Sequence, residues 1–201
     1  MGDQATERQV MRQELRTRRA GLAACDQRAA SVAVTARLGR IPILQSAEVV
    51  SGYRGVRGEI DIDGSLRILE QAGALVTVPR VVGEHLQFLP WSPEMKTVRG
   101  SFGIQEPLHG KPVPMERHDV VLAPLVAFDE QGHRLGQGGG YYDRMLGSIA
   151  PERRPIMIGI AHAFQQVDHV PSESWDVPLD AIVTEDEVLE FRLGALNPPI
   201  H

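Results

Sequence analysis

Short apolar runs constrain this chain more than any other feature: AEVVSGYR, ALVTVPR, LQFLPW, DVVLAPLVAF, PIMIGIAHAF and DAIVTEDEVLEF, each punctuated by Gly, Pro or Asp. Runs of this length, rich in valine and isoleucine, read as strands. Between the first two lies DGSLRILEQAG, where Leu66, Ile68 and Leu69 suit a short helix ended by Gly73. A strand, a helix and a second, nearly continuous apolar strand predict a parallel sheet covered by helices. The class is α/β.

Ahead of the strands the pattern is helical. ERQVMRQELRTRRAGL has no proline and sets Met11, Leu15 and Leu22 on one narrow face, which predicts a helix over 6–22. CDQRAASVAVTARL predicts a second, with Asp26 near its start. A chain of 201 residues of this class commonly forms one domain, and neither an internal repeat nor a low-complexity tract divides it. The Pro- and Gly-dense stretch from Pro90 to Pro114 is the least regular part, and reads as a long surface loop near a site or as a boundary.

Charge and cysteine content narrow the function classes. A net charge of −5 makes the average surface repel nucleic acid and anionic membranes. The single cysteine, Cys25, has no internal disulfide partner, which fits a reducing compartment, and it reads as a small half-buried residue rather than a nucleophile. No stretch approaches the roughly 18 apolar residues of a bilayer span, and the N-terminus lacks the apolar region of a signal peptide. These features predict a cytoplasmic protein without membrane or nucleic-acid partners. No His-Glu-x-x-His, Cys/His cluster or Gly-x-Ser-x-Gly elbow is present, so neither zinc nor a serine nucleophile is expected.

RLGQGGGYYDR, from Arg134 to Arg144, concentrates four glycines in front of two tyrosines and an aspartate. It is neither the dinucleotide fingerprint, because Tyr141 stands where the third glycine belongs, nor the Walker phosphate loop, because the only Gly-Lys pair, Gly110-Lys111, runs into Pro112. The physical case for an anion site rests on placement. The glycines would lie after a strand and before a helix, where consecutive amides without Cβ atoms can cradle phosphate oxygens. Arg134 flanks that cradle, and Asp143 could hold Mg²⁺ against the phosphates. On local chemistry alone, a plain turn with Asp143 supporting the first helical turn is an equal alternative.

The wider match decides between them. PLVAFDEQGHRLGQGGGYYDR, Pro124 to Arg144, and IGIAHAFQQVDHVPSESWDVPLDAIVTE, Ile158 to Glu185, resemble the two most specific blocks of the 5-formyltetrahydrofolate cyclo-ligases, also called methenyltetrahydrofolate synthetases. The resemblance extends to the N-terminal helix and to RGEIDID. It implies that Arg134, Gly136, Gly138, Gly139, Gly140, Tyr141 and Tyr142 line an ATP site, with Arg134, Tyr142 and Asp143 as catalytic residues. It also implies that Asp143 and Asp176 hold Mg²⁺, although Asp176 also suits a turn before Pro178.

On the N-terminal helix, Arg8, Arg12 and Arg16 share one face, and the resemblance turns Arg8 and Arg12 toward ATP. A solvated basic face, or a patch for nucleic acid, is the alternative there. Many relatives carry lysine at position 8 and at position 139, where this chain has arginine and glycine, and a guanidinium fork is not a point-charge ammonium. In YRGVRGEIDID, alternation sets Glu59, Asp61 and Asp63 opposite Ile60 and Ile62. Glu59 matches a family residue that contacts the pterin, while Tyr53 and Trp91 are stacking candidates that would equally serve as core.

The whole is expected to be one Rossmann-like domain over 1–201, working as a monomer on a reduced folate and ATP. The reaction implied is conversion of 5-formyltetrahydrofolate to 5,10-methenyltetrahydrofolate with release of ADP and phosphate. Two alternatives stay open: a paralogue that takes another formyl or carboxyl compound, and a non-catalytic anion-binding module.

Overall fold

The computed structural model describes residues 2–100 and 103–197. Helices α1 (Gly2–Ala20), α2 (Ala24–Leu38) and α3 (Pro42–Ser46) precede strand β1 (Val49–Ser51), then come α4 (Asp63–Gln71), β2 (Leu75–Val82) and β3 (His85–Pro90). The remaining strands are β4 (Thr97–Arg99), β5 (Gln105–Pro107), β6 (Val120–Pro124), β7 (Ala127–Phe128), β8 (Arg134–Leu135), β9 (Ile156–Ile160), β10 (Ala181–Val183) and β11 (Val188–Glu190). One more helix, α5 (Tyr141–Gly147), follows β8. The predicted helix over 6–22 therefore starts earlier and stops at Ala20, and α3 lies in a segment with too few residues to show a helical period.

Seven strands form the central sheet in the order β11-β10-β9-β6-β1-β2-β3. Pairing is parallel from β10 through β2, and the edge strands β3 and β11 are antiparallel. Counted along the chain, the five parallel strands run 2-1-3-4-5, the flavodoxin-like version of the doubly wound sheet. In such sheets a ligand crevice opens at the carboxyl ends of the strands where the winding direction reverses, here between β1 and β6.

Alternation along the strands feeds two cores. Val120 and Leu122 of β6, with Ile158 and Ile160 of β9, join Val34 and Leu38 of α2 and Leu66 of α4. Val121, Ala123 and Met157 face the other way, toward Leu146 of α5 and Phe128. A strand buried on both faces loses the polar alternation of a surface strand, which is why these runs read as continuous apolar stretches. A third, small cluster of Ala127, Leu135 and Val170 receives Met11 and Leu15 of α1, the face that the helical spacing picks out. Val126 N–H donates to the Leu135 carbonyl across the β7–β8 hairpin, so α1 is packed directly on the strand pair that leads into the glycine loop.

Two expectations change. The run DVVLAPLVAF is not one strand followed by a plain loop: β6 ends at Pro124, the last two residues of the run form β7, and β8 in the segment after it pairs back on β7, while Asp129, fully buried, accepts from the backbone amides of Gln131, His133 and Val170. The Pro90–Pro114 stretch likewise contains the antiparallel pair β4–β5, so it is not without regular structure.

Candidate active site

Arginine spacing on α1 sets up the site. Positions 8, 12, 16 and 19 fall on one helical face, and each side chain reaches a different part of the same region. Arg8 pairs with Asp176 at 3.1 Å. Arg12 Nε donates to the Gly136 carbonyl at 2.9 Å, and Arg16 donates to the Gln137 carbonyl and side chain at 2.7 and 2.9 Å. Arg19, only 2% exposed, donates to the carbonyls of Leu125 and Arg57 and lies 3.4 Å from Glu59 Oε1. Arg57 is the one non-glycine residue at positive φ among those described, at 52°. Burial, and then the neighbouring arginines, lower the pKa values of Arg12 and Arg16.

Those tethers orient the glycine loop. A peptide N–H points opposite to the preceding carbonyl, so drawing the Gly136 and Gln137 carbonyls toward α1 turns the amides of Gln137 and Gly138 away from it. Among the described residues none accepts a hydrogen bond from the amides of Gln137 through Asp143. Gly138 sits at φ 103°, a conformation that L side chains rarely adopt. At Gly139 a Cβ would come within 2.5 Å of the Tyr141 ring, so the ring packs directly on the bare backbone there. The loop is a row of free donors closed by α5, whose N-cap is Gly140.

Behind it, Arg134 and Asp143 lock together. Arg134 Nη2 is 2.6 Å from Asp143 Oδ1, which also accepts from the Val177 amide at 3.1 Å, and Arg134 Nη1 donates to the Val177 carbonyl. The residue before Val177 is Asp176, whose Oδ2 accepts from Arg8 and from the Glu173 amide. The two carboxylates that the sequence nominates for Mg²⁺ are thus linked through Val177, with Asp143 on α5 accepting from its amide and Asp176 preceding it in the chain. In each, one oxygen has no hydrogen-bond partner among the described residues.

A cavity of about 270 Å³ opens beside the loop. Gly136, Gly139, Gly140, Tyr141, Tyr142, Asp143 and Arg134 form one side. Tyr53 and Glu59, from the segment after β1, form another, and the walls are completed by Pro79, Val81, Leu86 and Ile104. Glu59 holds three donors: Arg19, Gln137 Nε2 at 2.7 Å and the Val56 amide at 3.1 Å. Burial nevertheless raises its pKa, with Arg19 and the other donors opposing. Tyr53 is 3% exposed and spends its hydroxyl on the Ile60 carbonyl at 2.7 Å, leaving its ring to the cavity. Burial raises the pKa values of both Tyr53 and Tyr142, so both are neutral phenols.

Other sequence-nominated residues fall elsewhere. Trp91 does not line the cavity; it is 4% exposed within the main core, where the apolar environment of β2 and α4 claims it. Of the acidic trio only Glu59 reaches the site. Ile60 and Ile62 are buried as the alternation requires, but Asp61 is exposed, and Asp63 starts α4 and pairs with Arg54 at 2.7 Å. Other site residues carry no nomination in the sequence, among them Gln137, the apolar wall of Pro79, Val81 and Leu86, and also Arg19, Glu106 and Ile104. Arg19 continues the arginine row by one more turn, a signal present in the spacing. Glu106 and Ile104 sit on β5 and just before it, and no local pattern marks them.

Among the described residues no three His, Cys, Asp or Glu side chains converge as a self-contained metal cage, and no helix is long and apolar enough to cross a membrane.

The sequence model of the 5-formyltetrahydrofolate cyclo-ligase family matches residues 4–185. The chain is 36% identical over 182 residues to 5-formyltetrahydrofolate cyclo-ligase of Escherichia coli, covering 88% of this chain and 100% of that one. It is also 36% identical over 177 residues to the Haemophilus influenzae protein of that name, covering 86% and 94%. The solved structure of Aquifex aeolicus 5,10-methenyltetrahydrofolate synthetase superposes with a TM-score of 0.79 at 30% identity, over 96% of each chain.

Proposed function

Because the chain belongs to the 5-formyltetrahydrofolate cyclo-ligase family, we propose that its cavity carries out that ring closure with ATP and Mg²⁺, converting 5-formyltetrahydrofolate to 5,10-methenyltetrahydrofolate. The formyl oxygen attacks the γ-phosphorus of ATP and ADP departs. N10 then attacks the activated carbon, phosphate leaves with the former formyl oxygen, and N10 loses its proton. Phosphorylation is needed because an amide-like oxygen is a poor leaving group as hydroxide and a good one as phosphate.

One observation carries the reading: a run of unpartnered amides from Gln137 to Asp143 borders the same cavity as the buried acceptor Glu59. The amides, with Arg12 and Arg134 beside them, receive the triphosphate. Arg8, held by Asp176, adds charge at the far end of the row. Catalysis is then mostly positioning and charge neutralisation, and no protein nucleophile is required. Glu59 and the ring of Tyr53 face the pterin, and Tyr142 closes the cavity between the two substrates.

Mg²⁺ commonly takes one or two carboxylates and completes its shell with phosphates and water, and the free oxygens of Asp143 and Asp176 suit that donor set. The ion would neutralise phosphate charge there. With the same reading go one domain over 1–201, a monomer, and a cytoplasmic enzyme without nucleic-acid or membrane partners, supported by the net charge of −5.

Asp143→Asn tests the assignment. Turnover falls by about a hundredfold or more and the midpoint of the Mg²⁺ titration moves to higher concentration, while the far-UV circular dichroism spectrum shows the fold retained. A folded variant with near-normal turnover and an unmoved titration would remove Asp143 from the metal site.

A further inference from the structure

Among the described residues, Glu106 is a carboxylate of the cavity with a buried oxygen that the protein leaves unpaired. It lies on β5, is 5% exposed and lines the cavity, yet its Oε1 has no hydrogen-bond partner among the described residues. Buried side-chain acceptors are nearly always paired, so a single unpaired one aimed at a cavity marks a place where a ligand supplies the donor. Its position is held open by sequence. The carboxylate occupies the space where residue 100 would carry a Cβ, so only Gly100 admits it. A second unpartnered polar atom, the Tyr142 hydroxyl, borders the same cavity from α5.

Glu59 differs. It already accepts from Arg19, Gln137 and Val56, and a carboxylate offers about four acceptor sites in all. It can add little more than one contact.

We propose that Glu106 is a second substrate-binding carboxylate, which accepts from the adjacent ring and exocyclic N–H groups of the reduced pterin, with the Tyr142 hydroxyl donating to the neighbouring pterin carbonyl; this rests on the folate reading above. The aminopyrimidinone edge presents two parallel N–H donors, the pattern a carboxylate matches two at a time. Pro79, Val81, Leu86 and Ile104 give the ring apolar walls beside the carboxylate. The β4–β5 hairpin, which the sequence offers only as an irregular stretch, thereby becomes a specificity element.

The test is equilibrium binding of 5-formyltetrahydrofolate and of its 2-desamino-2-methyl analogue to wild type, Glu106→Gln and Gly100→Ala, with melting temperatures and ATP affinity measured alongside. Wild type is expected to prefer the parent over the analogue by about tenfold or more. Glu106→Gln loses that preference by weakening the parent alone, ATP affinity stays unchanged, and Gly100→Ala weakens the parent by displacing the carboxylate. Parent affinity within twofold of wild type in a folded Glu106→Gln protein, or equal weakening of parent and analogue, overturns the proposal. Wild type that binds ATP but neither pterin overturns the folate reading itself, and the proposal with it.

Discussion

At Glu59, burial and pairing pull in opposite directions, and burial wins: the pKa is raised from its ordinary value although Arg19, Gln137 and Val56 all favour the ionised form. The sign follows. A carboxyl with a raised pKa takes up its proton at higher pH than an exposed one, so the acceptor form that we propose binds the pterin is present above that pKa and is lost as pH falls through it. The KM for the folate should therefore begin to rise at a pH where exposed glutamates are still ionised, while the KM for ATP stays flat. Glu59→Gln should abolish that limb of the profile, and an unchanged limb would assign the titration to another group. Single residues of this kind were partly legible. Glu59, Asp143 and Asp176 stood out because their neighbours in sequence form specific motifs. Glu106 did not, because its burial is created by Gly100 and β2, which meet it only in the folded chain. Trp91 illustrates the opposite error: an aromatic near a site region by sequence is claimed by the core.

Among elements, α1 carries the largest functional load for its size. Its apolar stripe of Met11 and Leu15 docks on the β7–β8 hairpin, and its arginine row holds the carbonyls of the glycine loop. Removing one tether should loosen the loop more than it destabilises the molecule, because a single partly buried hydrogen bond contributes only about 1 kcal/mol to global stability. Arg12→Ala should weaken ATP binding by about tenfold and speed amide exchange at Gln137 to Gly140, with the melting temperature nearly unchanged. Wild-type exchange rates at the loop would sever the link between helix and loop. The helical period of α1 and the arginine spacing are both written in the chain, since a long helix repeats its signal every turn. The pairs β7–β8 and β4–β5 are two or three residues each. Strands that short contain no alternation to detect, and they exist because α1 and β2 pack against them.

For the whole molecule, the order 2-1-3-4-5 of the parallel strands explains where the site had to form. The segments that follow β1 and β6 at the reversal of winding are those that bring Tyr53, Glu59 and the route to Arg134 together, while α1 crosses over both. The sequence pattern was sufficient for the class and the parallel core, because strands buried on both faces are apolar throughout. Strand order depends on pairings between segments far apart in the chain, and no local pattern encodes it. The most direct test of the central claim is near-UV absorbance of the purified protein with 5-formyltetrahydrofolate and Mg-ATP, since the methenyl product absorbs where the substrate does not. A rise that requires both ATP and Mg²⁺, with ADP and phosphate formed in equal amounts, is the predicted result. No rise from folded protein that still binds ATP would contradict the account and give the cavity a different substrate.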